Sequence, residues 1–309
     1  MLPSLPTIVL EGSTPGPRLL ITGGVHGDEY EPMSACRRLA KEIERGKLSG
    51  RVTLIPCVNE PAFVRGMRTA EDGLDLARVC PGRPDGTITQ RIAHVLSEQI
   101  RAADYYIDLH TGGVAYRLSP LAGYTLHPDA EVLAVQRRMA RAFNLPIVWG
   151  TSPKLDGRSL SVARDARVPA IYAEYEGGSQ CSPTGVEAYV DGCRSVLIEL
   201  GMLAGRRPPE RVRYVVEDDR LNAGFLQLGH PSPIDGQFAA EVELDQPVRR
   251  GDRIGTVTNI LGDRTEAVAA AVDGIVLMLR ALPRVAAGDG LAMLLEAEAT
   301  DADGEDAPA

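Results

Sequence analysis

Long apolar runs are missing from this 309-residue chain. No stretch approaches the roughly 18 consecutive apolar residues of a membrane-spanning helix, so membrane partners are excluded. The opening MLPSLPTIVLEGSTPGP has no basic segment and carries two early prolines, so it does not read as a secretion signal. Cysteine is scarce and odd in number: Cys36, Cys57, Cys80, Cys181 and Cys193 never form a CxxC pair. That excludes a disulfide framework and a thiolate metal site, and it points to a reducing cytoplasm. Any metal must therefore be held by histidine and carboxylate. Positive charge is also short, with 33 Lys and Arg against 42 Asp and Glu and a net charge of -9. The basic residues are scattered, and nucleic-acid binding needs them in a stripe, so that partner is excluded too. No repeat of 20–50 residues is present.

The composition, 44% hydrophobic and 24% charged, is that of an ordinary folded protein with one or two cores. Up to about residue 205, strand and helix signals alternate. Strands are predicted at Arg18–Thr22, Arg51–Val58, Tyr105–Leu109 and Ala170–Ala173. Helices are predicted at Pro32–Arg45, Thr89–Ala103, Val132–Phe143 and Val186–Met202, from apolar residues at helical spacing. This order predicts an α/β fold, a mostly parallel or mixed sheet flanked by helices. At GRRPPER (residues 205–211) the texture changes to short β-rich runs between glycine turns. The expected organisation is a catalytic domain over residues 1–205, a small all-β domain over 206–299 and a disordered acidic tail over 300–309. The β domain has the rhythm of a lipoyl-like sandwich, yet no lysine follows Lys154, which excludes a swinging-arm carrier.

The chemistry concentrates in two glycine-flanked turns. In Gly23–Glu31 (GGVHGDEYE), His26 and Glu29 stand three apart just after a buried strand, where an open parallel sheet binds its ligands. His110 ends another strand in YIDLHTGG. Two histidines and one carboxylate form the three-ligand set of a catalytic zinc site, with the fourth position left for water. Asp108 lies two residues before His110 on the same strand face, placed to accept from a ligating imidazole and fix its tautomer. His94 reads as a structural helix residue, and His127 and His230, each before a proline, as surface loop residues.

These segments, with the later Val168–Gly178 (VPAIYAEYEGG), resemble the succinylglutamate desuccinylase/aspartoacylase family, which is related to the zinc carboxypeptidases. The GGxHGDE turn, the strand ending in DLH and the PAxxxE segment each match the family pattern. The resemblance implies one Zn²⁺ per chain held by His26, Glu29 and His110, with Glu174 as the general base. Glu176, two residues on and on the same strand face, is the rival base. In NEPAFVRGMRTAEDGLDLARVCPG, Arg68 falls where the family has an arginine that stabilises the oxyanion, and Arg78 where it has a carboxylate-binding arginine. The family reads DLNR there, whereas this chain reads Asp75-Leu76-Ala77-Arg78, so one carboxylate contact is missing. Arg158, Arg164 and Arg167 are open alternatives for a second carboxylate grip.

The activity implied is hydrolysis of an N-acyl group from a small amino-acid-like substrate, and the GGVHGDEYE wording is nearest bacterial deacylases of N-acetyl-2,4-diaminobutyrate-like compounds. The alternative is a zinc carboxypeptidase acting on short peptides. The resemblance further implies that the β domain shapes the active-site mouth or an interface between copies of the chain.

Overall fold

The computed structural model describes residues 2–296; the acidic tail expected over 300–309 lies outside the described residues. In chain order the elements are β1 (Ile8–Glu11), β2 (Thr14–Thr22), α1 (Tyr30–Glu42), β3 (Ser49–Ile55), α2 (Glu60–Arg65), α3 (Ile88–Arg101), β4 (Tyr105–His110), β5 (Tyr116–Thr125), α4 (Ala130–Phe143), β6 (Ile147–Thr151), α5 (Ser159–Asp165), β7 (Ala170–Gly177) and α6 (Pro183–Glu199). Then follow β8 (Tyr214–Glu217), β9 (Gly236–Ala240), β10 (Pro247–Val248), β11 (Arg253–Thr258), β12 (Thr265–Ala269), β13 (Gly274–Arg280), β14 (Arg284–Val285) and β15 (Ala292–Leu295).

The architecture is a mixed sheet flanked by helices, with a second, all-β sheet near the C-terminal end. β3, β2, β4 and β7 are parallel neighbours, with β1 antiparallel at the edge. β5 turns antiparallel to β7 and begins a second block with β6 and β8. The central strands are apolar on both sides, and alternate residues feed different cores. Leu19, Ile21, Ile107 and Leu109 pack with Leu39, Met139, Phe143 and Val196 of α1, α4 and α6. Leu20 and Tyr106 point the other way, to Ile92, Leu96 and Ile100 of α3 and Leu160 and Ala163 of α5. A strand buried on both faces is what a parallel sheet under two helix layers requires.

Helix ends agree with local chemistry. Thr87 and Gln90 form a reciprocal capping box at α3, Asp129 caps α4, and Ser182 caps α6 ahead of Pro183. Three cysteines pack as small hydrophobes, Cys36 and Cys193 in one core and Cys80 in the other. Cys181, by contrast, is exposed.

β5 and β6 lie outside the strands the sequence predicts. Pro120 interrupts β5, and the register against β7 shifts between Leu118 and Leu121, which hides its periodicity. The free edge of β5 is divided. β6 pairs with Leu121–Thr125, while β13 pairs antiparallel with Tyr116–Leu118. Through that junction β13, β15 and β10 join the large sheet, and β8 joins it through β6. Strands β12, β11, β9 and β14 form the separate four-stranded sheet, with Phe238, Ile254 and Val257 in its core.

Candidate metal centre and active site

The strand ends at one sheet edge bring the chemistry together through register alone. Thr22, the last residue of β2, is the pairing partner of Asp108 on β4. His110, the last residue of β4, is the pairing partner of Glu174 on β7. The turn after β2 then folds His26 and Glu29 over the same edge. Gly24 adopts φ +63, and a Cβ there would come within 2.8 Å of the Met33 Cε and 2.9 Å of the Cys57 Cα. A Cβ on Gly27 would lie 2.1 Å from the Ala62 carbonyl carbon, so only glycine lets the turn lie this close to α2.

His26, Glu29 and His110 offer ligand atoms that all lie within 4.8 Å of one another. The two imidazoles converge on one carboxylate: His26 Nδ1 is 2.7 Å from Glu29 Oε1, and His110 Nδ1 is 3.0 Å from Glu29 Oε2. Ligand atoms around one tetrahedral zinc stand about 3.3 Å apart at ordinary bond lengths. The donor set is therefore the right size and chemistry for a single divalent cation. The far ring nitrogens are also held by carboxylates, His26 Nε2 by Asp75 at 3.1 Å and His110 Nε2 by Asp108 at 3.1 Å. With a cation among the three residues, Asp75 and Asp108 would accept from the Nε2 protons and leave each Nδ1 to face the ion. Asp108 is fully buried and is fixed in turn by the hydroxyls of Thr22, at 2.6 Å, and Ser159.

The electrostatics follow from this packing. Burial pushes the Glu29 carboxyl up, but His26 and His110 outweigh it and hold the group well below the usual carboxylate range. For His110, burial works against the charge, and Asp108 and Glu29 overcome it, raising its pKa well above the ordinary histidine value. Glu174 is pushed the other way. Burial, only partly countered by His110 and reinforced by Glu29, lifts its carboxyl to about 8. Its Oε2 is shielded from solvent and has no hydrogen-bond partner among the described residues.

All six residues singled out from the sequence, His26, Glu29, Arg68, Arg78, His110 and Glu174, line one pocket. Glu176 is not among the lining residues; its backbone adopts φ +42. Arg68 donates from Nε and Nη2 to Asp75, at 3.1 and 3.0 Å, and its Nη1 lies 3.7 Å from Glu29. Of the three open arginines, only Arg158 lines the pocket. Arg164 is spent on Asp156, Asp165 and the Pro153 carbonyl, and Arg167 on Asp129. Arg158 donates from Nη1 to the Gly224 carbonyl at 3.2 Å, while its Nε and Nη2 are buried without a partner. Its guanidinium stands 4.8 Å from the Phe225 ring centroid, and that of Arg78 stands 5.9 Å from the same ring. Burial and the neighbouring Arg78 charge bring the Arg158 pKa down to about 10. Arg78 is exposed and donates from Nη1 to the Ala77 carbonyl at 2.8 Å, so the buried unpartnered donors facing this part of the pocket belong to Arg158.

Of the two histidines read as surface residues, His127 is buried and His230 is half-buried. His127 places Nε2 against the Arg164 carbonyl, with Nδ1 accepting from the Asp129 amide. His230 likewise uses both ring nitrogens, facing the Ala292 carbonyl and the Ala271 amide. Both proline-adjacent loops are pinned by imidazoles that bridge backbone groups.

Residues 15–200 match the model of the succinylglutamate desuccinylase/aspartoacylase catalytic domain. The chain belongs to this family. It is 30% identical over 299 residues to N-alpha-acetyl-L-2,4-diaminobutyric acid deacetylase of Halomonas elongata, covering 94% of this chain and 84% of that one. Among solved structures, the product-bound ectoine utilization protein EutE (DoeB) from Ruegeria pomeroyi superposes with a TM-score of 0.85 at 30% identity, over 94% of this chain and 88% of that one. A succinylglutamate desuccinylase/aspartoacylase from Rhodobacter sphaeroides gives the same TM-score at 28% identity, over 95% and 90% of the two chains.

Within the family site, the residues that sequence reasoning missed are Asp75, Arg158 and the pocket walls from beyond residue 205. Gly224, Leu226, Gln227 and Met278 all face the pocket. Asp75 had a signal, an acid inside the DLAR segment, and Arg158 was one arginine of three. The distal wall had none, because its residues are ordinary ones, Met278 placed by the β5–β13 pairing and Gly224, Leu226 and Gln227 by the loop after β8.

Proposed function

We propose that this protein is a zinc-dependent deacylase that hydrolyses the amide of a small N-acyl amino acid. The observation that carries the reading is Glu174, whose unpartnered carboxylate oxygen shares a pocket with the His26, Glu29 and His110 donor set. A zinc ion held by those three residues supplies Lewis acidity, making a water acidic near neutral pH and polarising the substrate carbonyl. Glu174 accepts the proton of the attacking water and delivers it to the departing amine nitrogen. Arg68, held by Asp75 with its Nη1 turned toward Glu29, offers fixed positive charge to the carbonyl oxygen as it becomes anionic. Arg78 and Arg158 bind a carboxylate on the amino-acid portion, satisfying the orphaned donors of Arg158. Gly224, Leu226, Gln227 and Met278 wall the pocket from the C-terminal side, which favours a small substrate over a peptide running through an open groove. The deacetylase and EutE relatives make an N-acetylated diamino acid the first compound to test.

The test is metal content of the purified protein together with amine release from a panel of N-acyl amino acids and short peptides. We expect about one zinc per chain, release from N-acyl amino acids, and loss of both metal and activity in His110→Ala. Cleavage confined to peptides would replace this reading with a carboxypeptidase. Absence of bound zinc, with no gain of activity on adding it, would refute the metal centre.

A further inference from the structure

Two carboxylates support the candidate metal ligands from behind, and they are not equivalent. Asp108 holds His110 and is itself held by two hydroxyls, from Thr22 and Ser159. Asp75 holds His26 through Oδ1, at 3.1 Å, while Oδ2 takes both Nε and Nη2 of Arg68, at 3.1 and 3.0 Å. The Asp75 carboxylate is anchored in its own loop, because Oδ1 also accepts from the Ala77 amide at 2.9 Å. Position 77, where the family pattern has asparagine, therefore serves here through its backbone.

We propose that Asp75 is a positioning residue that acts on both halves of the reaction. One oxygen orients His26 toward the metal, and the other aims Arg68 at the scissile carbonyl. The inference rests on the zinc deacylase reading above. Its physical content is a coupling: metal retention and oxyanion stabilisation share one side chain on the His26 side of the site, whereas Asp108 serves metal retention alone. An arginine side chain has many rotamers, and the paired contact to Oδ2 restricts that freedom before substrate arrives. The remaining Nη1, 3.7 Å from Glu29, is thereby left pointing at the reaction centre.

The two oxygens can be separated by substitution. In Asp75→Asn, the amide oxygen still accepts from His26 Nε2 and the Ala77 amide, but the amide NH₂ faces the Arg68 donors and the paired contact is lost. In Asp75→Ala, both contacts go. Zinc affinity is measured on the full-length protein by competition with a chromophoric chelator, independently of turnover, and kcat and KM are measured on the zinc-loaded forms. The expected pattern is that Asp75→Asn keeps zinc affinity within about threefold of the parent, while kcat falls on the order of 10²-fold, the cost of a lost oxyanion donor. Asp75→Ala should lose about 10- to 100-fold in zinc affinity as well. Adding Arg68→Ala to Asp75→Asn should change kcat by less than about threefold, because acting through one contact makes the two losses non-additive.

Unchanged zinc affinity in Asp75→Ala would overturn the His26 arm. Full additivity of Asp75→Asn with Arg68→Ala would overturn the Arg68 arm. Equal loss of zinc in the Asn and Ala variants, with equal falls in melting temperature, would make Asp75 a loop-folding residue and overturn both arms. A parent protein that binds no zinc would instead refute the zinc deacylase reading.

Discussion

Replacing Glu174 by glutamine is the sharpest perturbation of the proposed chemistry, because it keeps shape and removes only the proton acceptor. The side chain belongs to β7, at the residue paired with His110 of β4, and its Oε2 has no partner among the described residues. The substitution therefore breaks no hydrogen bond, and the neutral amide escapes the burial cost that lifts the carboxyl to about 8. Stability should stay level or rise, and zinc content should be unchanged because Glu174 is outside the donor set. Loss of general acid–base assistance costs 10²- to 10⁴-fold in kcat, which is about 2.7–5.4 kcal/mol at 1.36 kcal/mol per decade. The assay is initial rates of amine release under saturating N-acyl amino acid, with zinc measured on the same samples. Glu176→Gln is the matched control and should fall less than about tenfold, since that residue does not line the pocket. A Glu174→Gln enzyme within a few-fold of the parent, or a larger loss in Glu176→Gln, would refute the assignment of the base.

The other expectations concern binding and stability. Arg158→Ala should raise KM about 10- to 100-fold with kcat nearly unchanged, because a charge-assisted carboxylate contact is common to ground and transition states. Arg164→Ala, whose side chain is paired elsewhere, should leave KM alone; equal effects from the two would place the anion seat elsewhere. Glu217 on β8 accepts from Arg137 at 2.7 Å and from the Tyr124 hydroxyl at 2.6 Å, and chiefly the Arg137 contact holds its carboxyl below the ordinary value. A depressed carboxyl contributes stability above the unfolded-state pKa and loses it as pH falls through the lower folded value. Glu217→Gln should therefore lower unfolding free energy by about 1 kcal/mol at pH 7, after allowance for its partial exposure, and the gap should close between pH 4.5 and more acidic conditions. Denaturation midpoints that stay equally far apart from pH 7 to pH 3 would contradict the linkage.

How far the site was legible depends on whether a residue's role is fixed by local sequence. His26 and Glu29 could be read because the glycines around them announce a turn that only glycine can make, at Gly24 for its φ and at Gly27 for its contact with Ala62. Asp108 and His110 could be read because alternation along a strand guarantees a shared face, and the observed 3.1 Å contact is that alternation realised. Arg158 could not be separated from Arg164 and Arg167, since the choice is made by which of them finds a local acid. Asp156, Asp165 and Asp129 neutralise the other two, and Arg158 is left facing the pocket. The burial of His127 was misread for a related reason: a proline neighbour signals a turn, but whether the ring packs inward depends on a distant carbonyl, here that of Arg164.

The least legible feature also has the widest consequence for function. β5 divides its outer edge between β6 and β13, so a strand from residues 274–280 is laid against Tyr116–Leu118, with Met278 opposite Leu118 in the pocket wall. The loop carrying Gly224, Leu226 and Gln227 reaches the same pocket through the Arg158–Gly224 contact. Every side chain assigned to bond breaking lies at or before residue 174, and the stretch after residue 220 adds Gly224, Leu226, Gln227 and Met278 to the pocket wall. The C-terminal stretch thus adds a wall to a pocket whose reacting groups, together with Arg78 and Arg158, come earlier in the chain, and two strand pairings, β5–β13 and β6–β8, tie that stretch to the large sheet. Substitutions at Leu226, Gln227 or Met278 can then shift acyl or amine preference through KM without touching the His26, Glu29 and His110 donors. Reaction type could be read because His26, Glu29, His110 and Glu174 sit in short motifs, whereas Gly224, Leu226, Gln227 and Met278 belong to none.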